Sequence, residues 1–316
     1  KTIDTMQEMT SEICDATPVG TERQLTDIRD NKVYWVAKLA DNHCWMTQNL
    51  DLNLDSSVAL TSDTTDLNTV SSWTPIRSTI NAVTNESTSG SITGWSNDAN
   101  TPYSVDTGNY YWKNTPFYNS SLCDKTLNGL PLQGCNYLTK AAGTGPDWAT
   151  YFATTPYASN GTHGHVGNYY NWSAAVASND TSSYTASTFA NPANNPPNSI
   201  CPKGWRLPTI TSAAPDYTQA GSKDEFSRLA YLYANYAGNT SISSEGLEKA
   251  PLYYPRSGNV NSSILLRAGD SGFGWSSTVG ISTGAHYLGF FSSTIYPQGV
   301  ASNNRTAGFP VRCVAR

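Results

Sequence analysis

Histidines are the side chains of this sequence with the widest range of possible chemistry, because they serve as general acids or bases and as metal ligands. The chain has four of them: His43, His163, His165 and His286. One glycine separates His163 from His165, so an extended loop could present both imidazoles on one side. A zinc site needs a third protein ligand, and the sequence indicates none. We therefore interpret the histidines as loop residues, and we expect no metal site and no cofactor.

Carboxylates offer a second kind of chemistry. A glycosidase needs two of them at a defined separation in a cleft lined by aromatic side chains. Here the 24 acidic residues are scattered, and no motif distinguishes a pair. Aromatic residues make up 11% of the chain, and core or sheet-face positions explain them more simply. We therefore expect no enzyme activity.

The six cysteines are an even number and include no CxxC pair, which argues against a zinc knuckle or a thioredoxin-like motif. Although many pairings are possible, we predict disulfides Cys14–Cys44, Cys123–Cys135 and Cys201–Cys313. The first two join sequence neighbours. The third closes a loop on the order of 100 residues, which contributes about 4.7 kcal/mol in the chain-entropy model. The alternative is six reduced, buried thiols in a cytosolic protein.

Composition narrows the class of protein. Of the 316 residues only 14% are charged, and the net charge is −5. No basic face is available for nucleic-acid binding, and no apolar run approaches the roughly 20 residues that span a bilayer. Low charge, many hydroxyls and amides, and paired cysteines are typical of extracellular proteins. We expect an exported product, trimmed to begin at Lys1, that has lost its signal or anchor.

Hydrophobic periodicity places the elements that must position these side chains. Helices are predicted over 2–13, 167–178 and 222–237, and strands over 32–39, 264–268, 274–279, 285–291 and 308–315. The longest helix carries one apolar stripe, formed by Phe226, Leu229, Tyr233 and Tyr236. Capping boxes are predicted for the first and last helices, at Thr5 with Glu8 and at Ser222 with Glu225. Between 56 and 164 no apolar period persists, which indicates a loop-rich insertion.

Six segments of the sequence carry a family resemblance in their order along the chain. They are DNKVYWVAKLADNHCWMTQNLDLNL (30–54), GNYYNWSAA (167–175), ICPKGWRLPT (200–209), DEFSRLA (224–230), GWSST (274–278) and GFPVRCV (308–314). Together they resemble the Fibrobacter succinogenes major paralogous (FISUMP) domain of bacterial surface proteins. The resemblance covers roughly half of the chain. It implies one domain over 1–316, with a core formed by 10–55 and 165–316 and an insertion at 56–164.

The FISUMP family is in turn similar to C-type lectins and to formylglycine-generating domains. The resemblance implies an α+β, C-type-lectin-like fold with small antiparallel sheets, two main helices and termini brought together by the last strand. We expect Trp205 and Phe226 to share one core with Phe309. Formylglycine generation needs a reactive C-terminal cysteine pair, whereas Cys313 is expected in a disulfide. A disulfide sulfur is not the thiolate that such chemistry requires.

Calcium-dependent sugar binding, as in many C-type lectins, finds little support in the motifs. The sequence has no E-P-N or Q-P-D, and WSND (95–98) has the wrong spacing. DLNLD (51–55) lacks the glycine and glutamate that complete a calcium loop, and strand alternation explains it better. A structural calcium elsewhere in the chain stays open.

Loops between the late strands commonly form the ligand face of a C-type-lectin-like fold. Those loops are 255–263, 268–272 and 296–305, and the predicted binding residues are Tyr296, Asn303, Asn304 and Arg305. Tyrosine, asparagine and arginine suit recognition, because they combine contact area with adaptable hydrogen bonds. We expect non-catalytic adhesion or ligand recognition at a bacterial cell surface, with a glycan or protein partner. The alternative is a subunit or tip component of a filament or pilus, whose partners are copies of itself.

Overall fold

The computed structural model describes the N-terminal part of the chain and much of the C-terminal half. The described residues are 2–29, 31–50, 60–61, 72–73, 111–112, 126–127, 130–131, 169–177, 196, 198–210, 217–218, 224–238, 242–261, 264–267, 271–280, 284–291, 293–297, 303–305 and 307–316. Most of the predicted insertion lies outside these residues, as do the predicted Cys123–Cys135 disulfide, His163 and His165.

The described elements are short helices and small antiparallel sheets, so the chain has an α+β structure. A 3-10 turn spans Met6–Glu8, and the helices are α1 (Ser11–Ala16), α2 (Trp172–Ala175), α3 (Glu225–Ala234) and α4 (Glu245–Glu248). The strands before residue 200 are β1 (Glu22–Asp27), β2 (Lys32–Lys38), β3 (Cys44–Met46), β4 (Leu60–Thr61), β5 (Ser72–Trp73), β6 (Tyr111–Trp112), β7 (Thr126–Leu127), β8 (Leu130–Pro131) and β9 (Tyr169–Tyr170). Those after it are β10 (Trp205–Arg206), β11 (Asn259–Asn261), β12 (Ile264–Leu266), β13 (Gly272–Val279), β14 (Gly284–Phe290), β15 (Ile295–Tyr296), β16 (Asn303–Asn304) and β17 (Val314–Ala315). Among the described residues, no helix is long and apolar enough to cross a bilayer.

The N-terminal segment is not the single helix predicted over 2–13. Met9 and Thr10 have extended backbones, which separate the 3-10 turn from α1. The reason is local capping: the Thr10 hydroxyl accepts a hydrogen bond from the Ile13 amide (3.3 Å) and starts a new helix there. At the first turn, the Glu8 carboxylate accepts from the Thr5 amide (3.1 Å), as the predicted capping box requires.

A five-stranded sheet has the order β1-β2-β3-β17-β10, with every pair antiparallel. The predicted strand 32–39 is confirmed as β2. The last strand pairs with β3 through Val314 and Trp45, and this places the C-terminal residues beside the N-terminal sheet. The disulfides Cys14–Cys44 and Cys201–Cys313 are both confirmed, each with 5.8 Å between Cα atoms.

Helix α3 (Glu225–Ala234) confirms the central part of the helix predicted over 222–237. Its residues Phe226 and Leu229 are fully buried, and Asn235 ends it in the left-handed conformation (φ 56°). Ser222 lies outside the described residues. Glu225 does not serve mainly as a cap, because its buried carboxylate accepts hydrogen bonds from Arg206 and from the Thr209 hydroxyl (3.1 Å).

Two hydrophobic cores lie on opposite faces of the last strand, so the prediction of one shared core is wrong. Trp205 and Phe309 belong to the first core. Phe226 belongs to the second, where its ring is 6.1 Å from that of Trp45. The reason is strand alternation, because consecutive side chains of a strand face opposite sides. Val314 therefore packs in the second core, while its neighbours Cys313 and Ala315 pack in the first.

The second sheet contains the late strands and is built around β14. Strand β13 lies on one side of β14, and both β15 and β16 pair with the other side. This sheet confirms the strands predicted over 274–279 and 285–291. The segment predicted as a strand over 308–315 contains β17 and an isolated bridge between Phe309 and Tyr170. That bridge pairs the segment with β9.

Candidate binding site at the end of strand β14

The predicted binding residues Tyr296, Asn303 and Asn304 lie along one edge of β14, at two separate places. Tyr296 pairs with Gly289, whereas Asn303 and Asn304 pair with Ala285 and Gly284. Gly289 lies five positions after Gly284 along the extended strand, a distance of roughly 17 Å. The asparagines therefore do not form a compact site with Tyr296. Asn304 is exposed and Tyr296 is half-buried.

Arg305 does not lie on the surface, contrary to our expectation. Only 1% of it is exposed, and its Cζ lies 4.7 Å from the ring centroid of Trp172, itself fully buried. The Arg305 Nε donates to the carbonyl of Gly284 (3.2 Å). The Trp172 amide in turn donates to the Arg305 carbonyl (2.8 Å). These contacts use the guanidinium as a packing element between β14 and α2, which removes it from any surface contact.

A different arginine, Arg267, contacts the ring that neighbours Tyr296. The Arg267 Cζ lies 5.3 Å from the ring centroid of Phe291, and that ring is 5.7 Å from the Tyr296 ring in an edge-on arrangement. Arg267 is exposed, while Tyr287, Phe291 and Tyr296 are half-buried. We name these four residues the Arg267 patch. It lies where β14 ends and where the chain leaves β12.

Two turns position the patch. Arg267 follows β12 directly and has a left-handed backbone (φ 58°), and its carbonyl accepts from the Ser271 amide (2.9 Å). The Phe291 amide donates to the Thr294 carbonyl (2.8 Å), which reverses the chain from β14 into β15. Both turns therefore deliver their side chains to the same end of the second sheet.

Buried aromatic rings support the patch from behind. The Phe273 and Phe309 rings stack at 4.9 Å, and Phe309 also lies 4.3 Å from Trp275. Two members of the patch contact this stack: Tyr287 at 5.9 Å and Phe291 at 6.1 Å from Phe273. The patch is thus the solvent-facing margin of a packed aromatic core, whose rings hold their positions without a ligand.

The electrostatics of the patch favour hydrogen-bond donation. Burial raises the pKa of Tyr287 above its ordinary value, Arg267 opposes this shift, and Tyr296 adds to it. The Tyr287 phenol is therefore neutral near pH 7 and can donate a proton in a hydrogen bond. Within the described part of the chain, no carboxylate forms an ion pair with Arg267. The patch combines one exposed cation with two half-buried tyrosines.

A second cluster of titratable groups surrounds His43. Its Nδ1 lies 3.1 Å from Oδ2 of the buried Asp41, and the same oxygen accepts from Trp45 Nε1 (2.8 Å). The hydrogen bond to Asp41 raises the pKa of His43. The described residues contain no group of three or more side chains suited to a metal ion. Nothing in this cluster offers a nucleophile beside the imidazole, and we interpret it as a structural pair.

Of the predicted binding residues, Tyr296 belongs to the patch, Asn303 and Asn304 lie towards the other end of β14, and Arg305 is buried. Arg267 and Phe291 were predicted as parts of the strands 264–268 and 285–291. The available signal was the position of Arg267, which ends an apolar strand just before the glycine-rich turn 268–272. No protein-family model, no curated protein and no solved structure matches the chain.

Proposed function

We propose that this chain is an exported protein of a bacterial cell surface, whose FISUMP-type, C-type-lectin-like domain recognises a ligand without catalysis. Two disulfides support an extracellular site of action, because such bonds persist in oxidising compartments. The α+β structure, with its last strand placed beside β3, agrees with the fold that the sequence resemblance implies. The proposed partner is a glycan or a protein on another surface.

The Arg267 patch is the observation that carries this proposal. Exposed aromatic margins with a cation and hydroxyl groups resemble binding surfaces in composition, because tyrosine and arginine supply contact area and directional hydrogen bonds together. The buried stack behind the patch keeps its rings fixed, so that binding would require little ordering of side chains.

Attachment of protein-coated beads to cells and to immobilised polysaccharides tests the proposal. The double variant Tyr287→Ala with Tyr296→Ala should lose attachment. Tyr231→Ala is the matched control, since Tyr231 is a partly exposed tyrosine beside another arginine, Arg228, at 5.4 Å. Circular dichroism should show native folding in all of these variants.

The predicted insertion is the competing location for the binding surface. The pair Trp95→Ala with Trp112→Ala tests it in the same bead assay. Loss of attachment with this pair, and not with the tyrosine pair, would place binding in the insertion. If both pairs attach normally, the adhesion proposal is wrong.

A filament subunit is the second candidate function, and exposed apolar residues favour it. Ile28 and Val33 are 51% and 41% exposed at the turn that joins β1 to β2. A filament subunit should bury more than about 1,000 Å² against each neighbouring copy. Sedimentation of the purified chain distinguishes the two functions. Assembly of the chain that is lost in the double variant Ile28→Ser with Val33→Ser favours the filament. A monomer favours the binding module.

A further inference from the structure

We propose that the ligand of the Arg267 patch is an acidic carbohydrate, whose carboxylate binds the Arg267 guanidinium without a bridging metal ion. This inference rests on the proposed function and names its ligand class. The residue that recognises the carboxylate is then Arg267, which the sequence analysis did not name as a binding residue, and not Arg305.

The first argument is the chemistry of Arg267. The Arg267 Cζ lies over the Phe291 ring, and the side chain is exposed, so its N–H groups can form the fork that matches a carboxylate. Five of the other described basic residues have a carboxylate within 4 Å: Arg29, Lys38, Arg206, Lys249 and Arg256. The exposed charge of Arg267 has no such neutralisation within the described residues, so an incoming carboxylate would supply it.

The second argument is the surroundings of that charge. The half-buried Tyr287 feels the charge of Arg267, and the half-buried Tyr296 ring lies 5.7 Å from Phe291, the ring beneath Arg267. A sugar ring has an apolar C–H face, which packs on aromatic rings, and hydroxyl groups, which pair with phenols. A carboxylate without a ring, such as a peptide terminus, would use the arginine and leave the two phenols unpaired. The combination therefore favours an acidic sugar over a simple anion.

The third argument is the comparison with Arg228, whose Cζ lies 5.4 Å from the Tyr231 ring. Arg228 is buried, and its Nη1 donates to the carbonyls of Tyr217 and Thr218 at 2.8 Å each. Its Nη1 donors are used inside the protein and the side chain is only 8% exposed, although the ring distance is almost the same as for Arg267. A cation over a ring is therefore not enough for binding, and exposure of the guanidinium makes the difference.

The test is titration calorimetry of the full chain with oligogalacturonate, against the same oligosaccharide with its carboxyl groups reduced to alcohols. We expect the acidic form to bind and the reduced form to bind at least tenfold more weakly. Arg267→Ala should weaken binding of the acidic form by about 10- to 100-fold, the factor expected for a charge-assisted pair. Arg267→Lys should recover part of this loss, because it keeps the charge without the fork. EDTA should have no effect.

The control variant is Tyr231→Ala, which should bind oligogalacturonate as the unchanged chain does. Equal binding of the two oligosaccharides, or unchanged binding by Arg267→Ala, would overturn the inference. So would binding of a short peptide through its free C-terminal carboxylate in preference to oligogalacturonate. In each of these cases the proposed function still holds if Tyr287→Ala with Tyr296→Ala abolishes bead attachment, and it falls too if attachment persists.

Discussion

The two ends of strand β14 each carry an arginine over an aromatic ring, and the two arginines differ in depth. At the first end Arg305 lies 4.7 Å from Trp172, with 1% of the arginine exposed. At the last end Arg267 lies 5.3 Å from Phe291, and the arginine is exposed. Ring contact alone therefore does not define the role of an arginine. Burial converts the cation into a packing element, whereas exposure leaves its donors for a partner.

Removing the disulfide between Cys201 and Cys313 should cause the largest loss of stability. It closes a loop of 112 residues, which corresponds to about 4.8 kcal/mol in the chain-entropy model. Urea unfolding of the variant Cys201→Ala with Cys313→Ala measures it. The matched control, Cys14→Ala with Cys44→Ala, closes only 30 residues and should cost about 1 kcal/mol less. A larger loss in the control would contradict the prediction.

Arg305→Ala sharpens the comparison at the buried end of β14. It should lower the free energy of unfolding by about 3 kcal/mol, because it leaves a cavity beside Trp172 and removes a donor from the Gly284 carbonyl. Urea unfolding is again the measurement, and Arg305→Lys should restore part of the loss. A change below about 0.5 kcal/mol would show that the buried arginine is not a packing element.

A pH series separates stability from binding. Because the folded-state pKa of His43 lies above its ordinary value of 6.5, its pair with Asp41 stabilises the fold fully below pH 6.5. This contribution, under about 1 kcal/mol for a partly exposed pair, is lost as the pH rises through the folded-state value. The difference in unfolding free energy between the unchanged chain and His43→Gln should shrink accordingly. A difference that grows with pH would contradict the assigned direction, while binding at Arg267 should stay constant over this range.

Arg267→Ala should have the smallest effect on stability. An exposed side chain with no ion pair among the described residues contributes little, so the unfolding free energy should change by less than about 0.5 kcal/mol. Thermal unfolding by circular dichroism measures it. If Arg267→Ala destabilises the chain as much as Arg305→Ala does, the distinction between the two ends of β14 is wrong.

Local patterns predicted much of the fold. Periodicity located β2, α3 and the strands around β14, and the even count of cysteines led to two confirmed disulfides. The depth of a side chain depends on contacts that are distant in sequence, and these were not predictable. Arg305 is buried because Trp172, more than 100 residues earlier, lies over it. Phe226 packs away from Phe309 because the last strand passes between the two cores.

The Cys201–Cys313 disulfide also governs how the molecule responds to tension along its chain. A pulling force that reaches Cys201 passes through the sulfur bridge to Cys313, and the residues between them, a sequence separation of 112, cannot be drawn out. Fully extended, that segment would add about 380 Å of length. All four residues of the Arg267 patch lie inside this closed loop. Under such a force other parts of the chain would extend first, and the Arg267 patch would keep its shape.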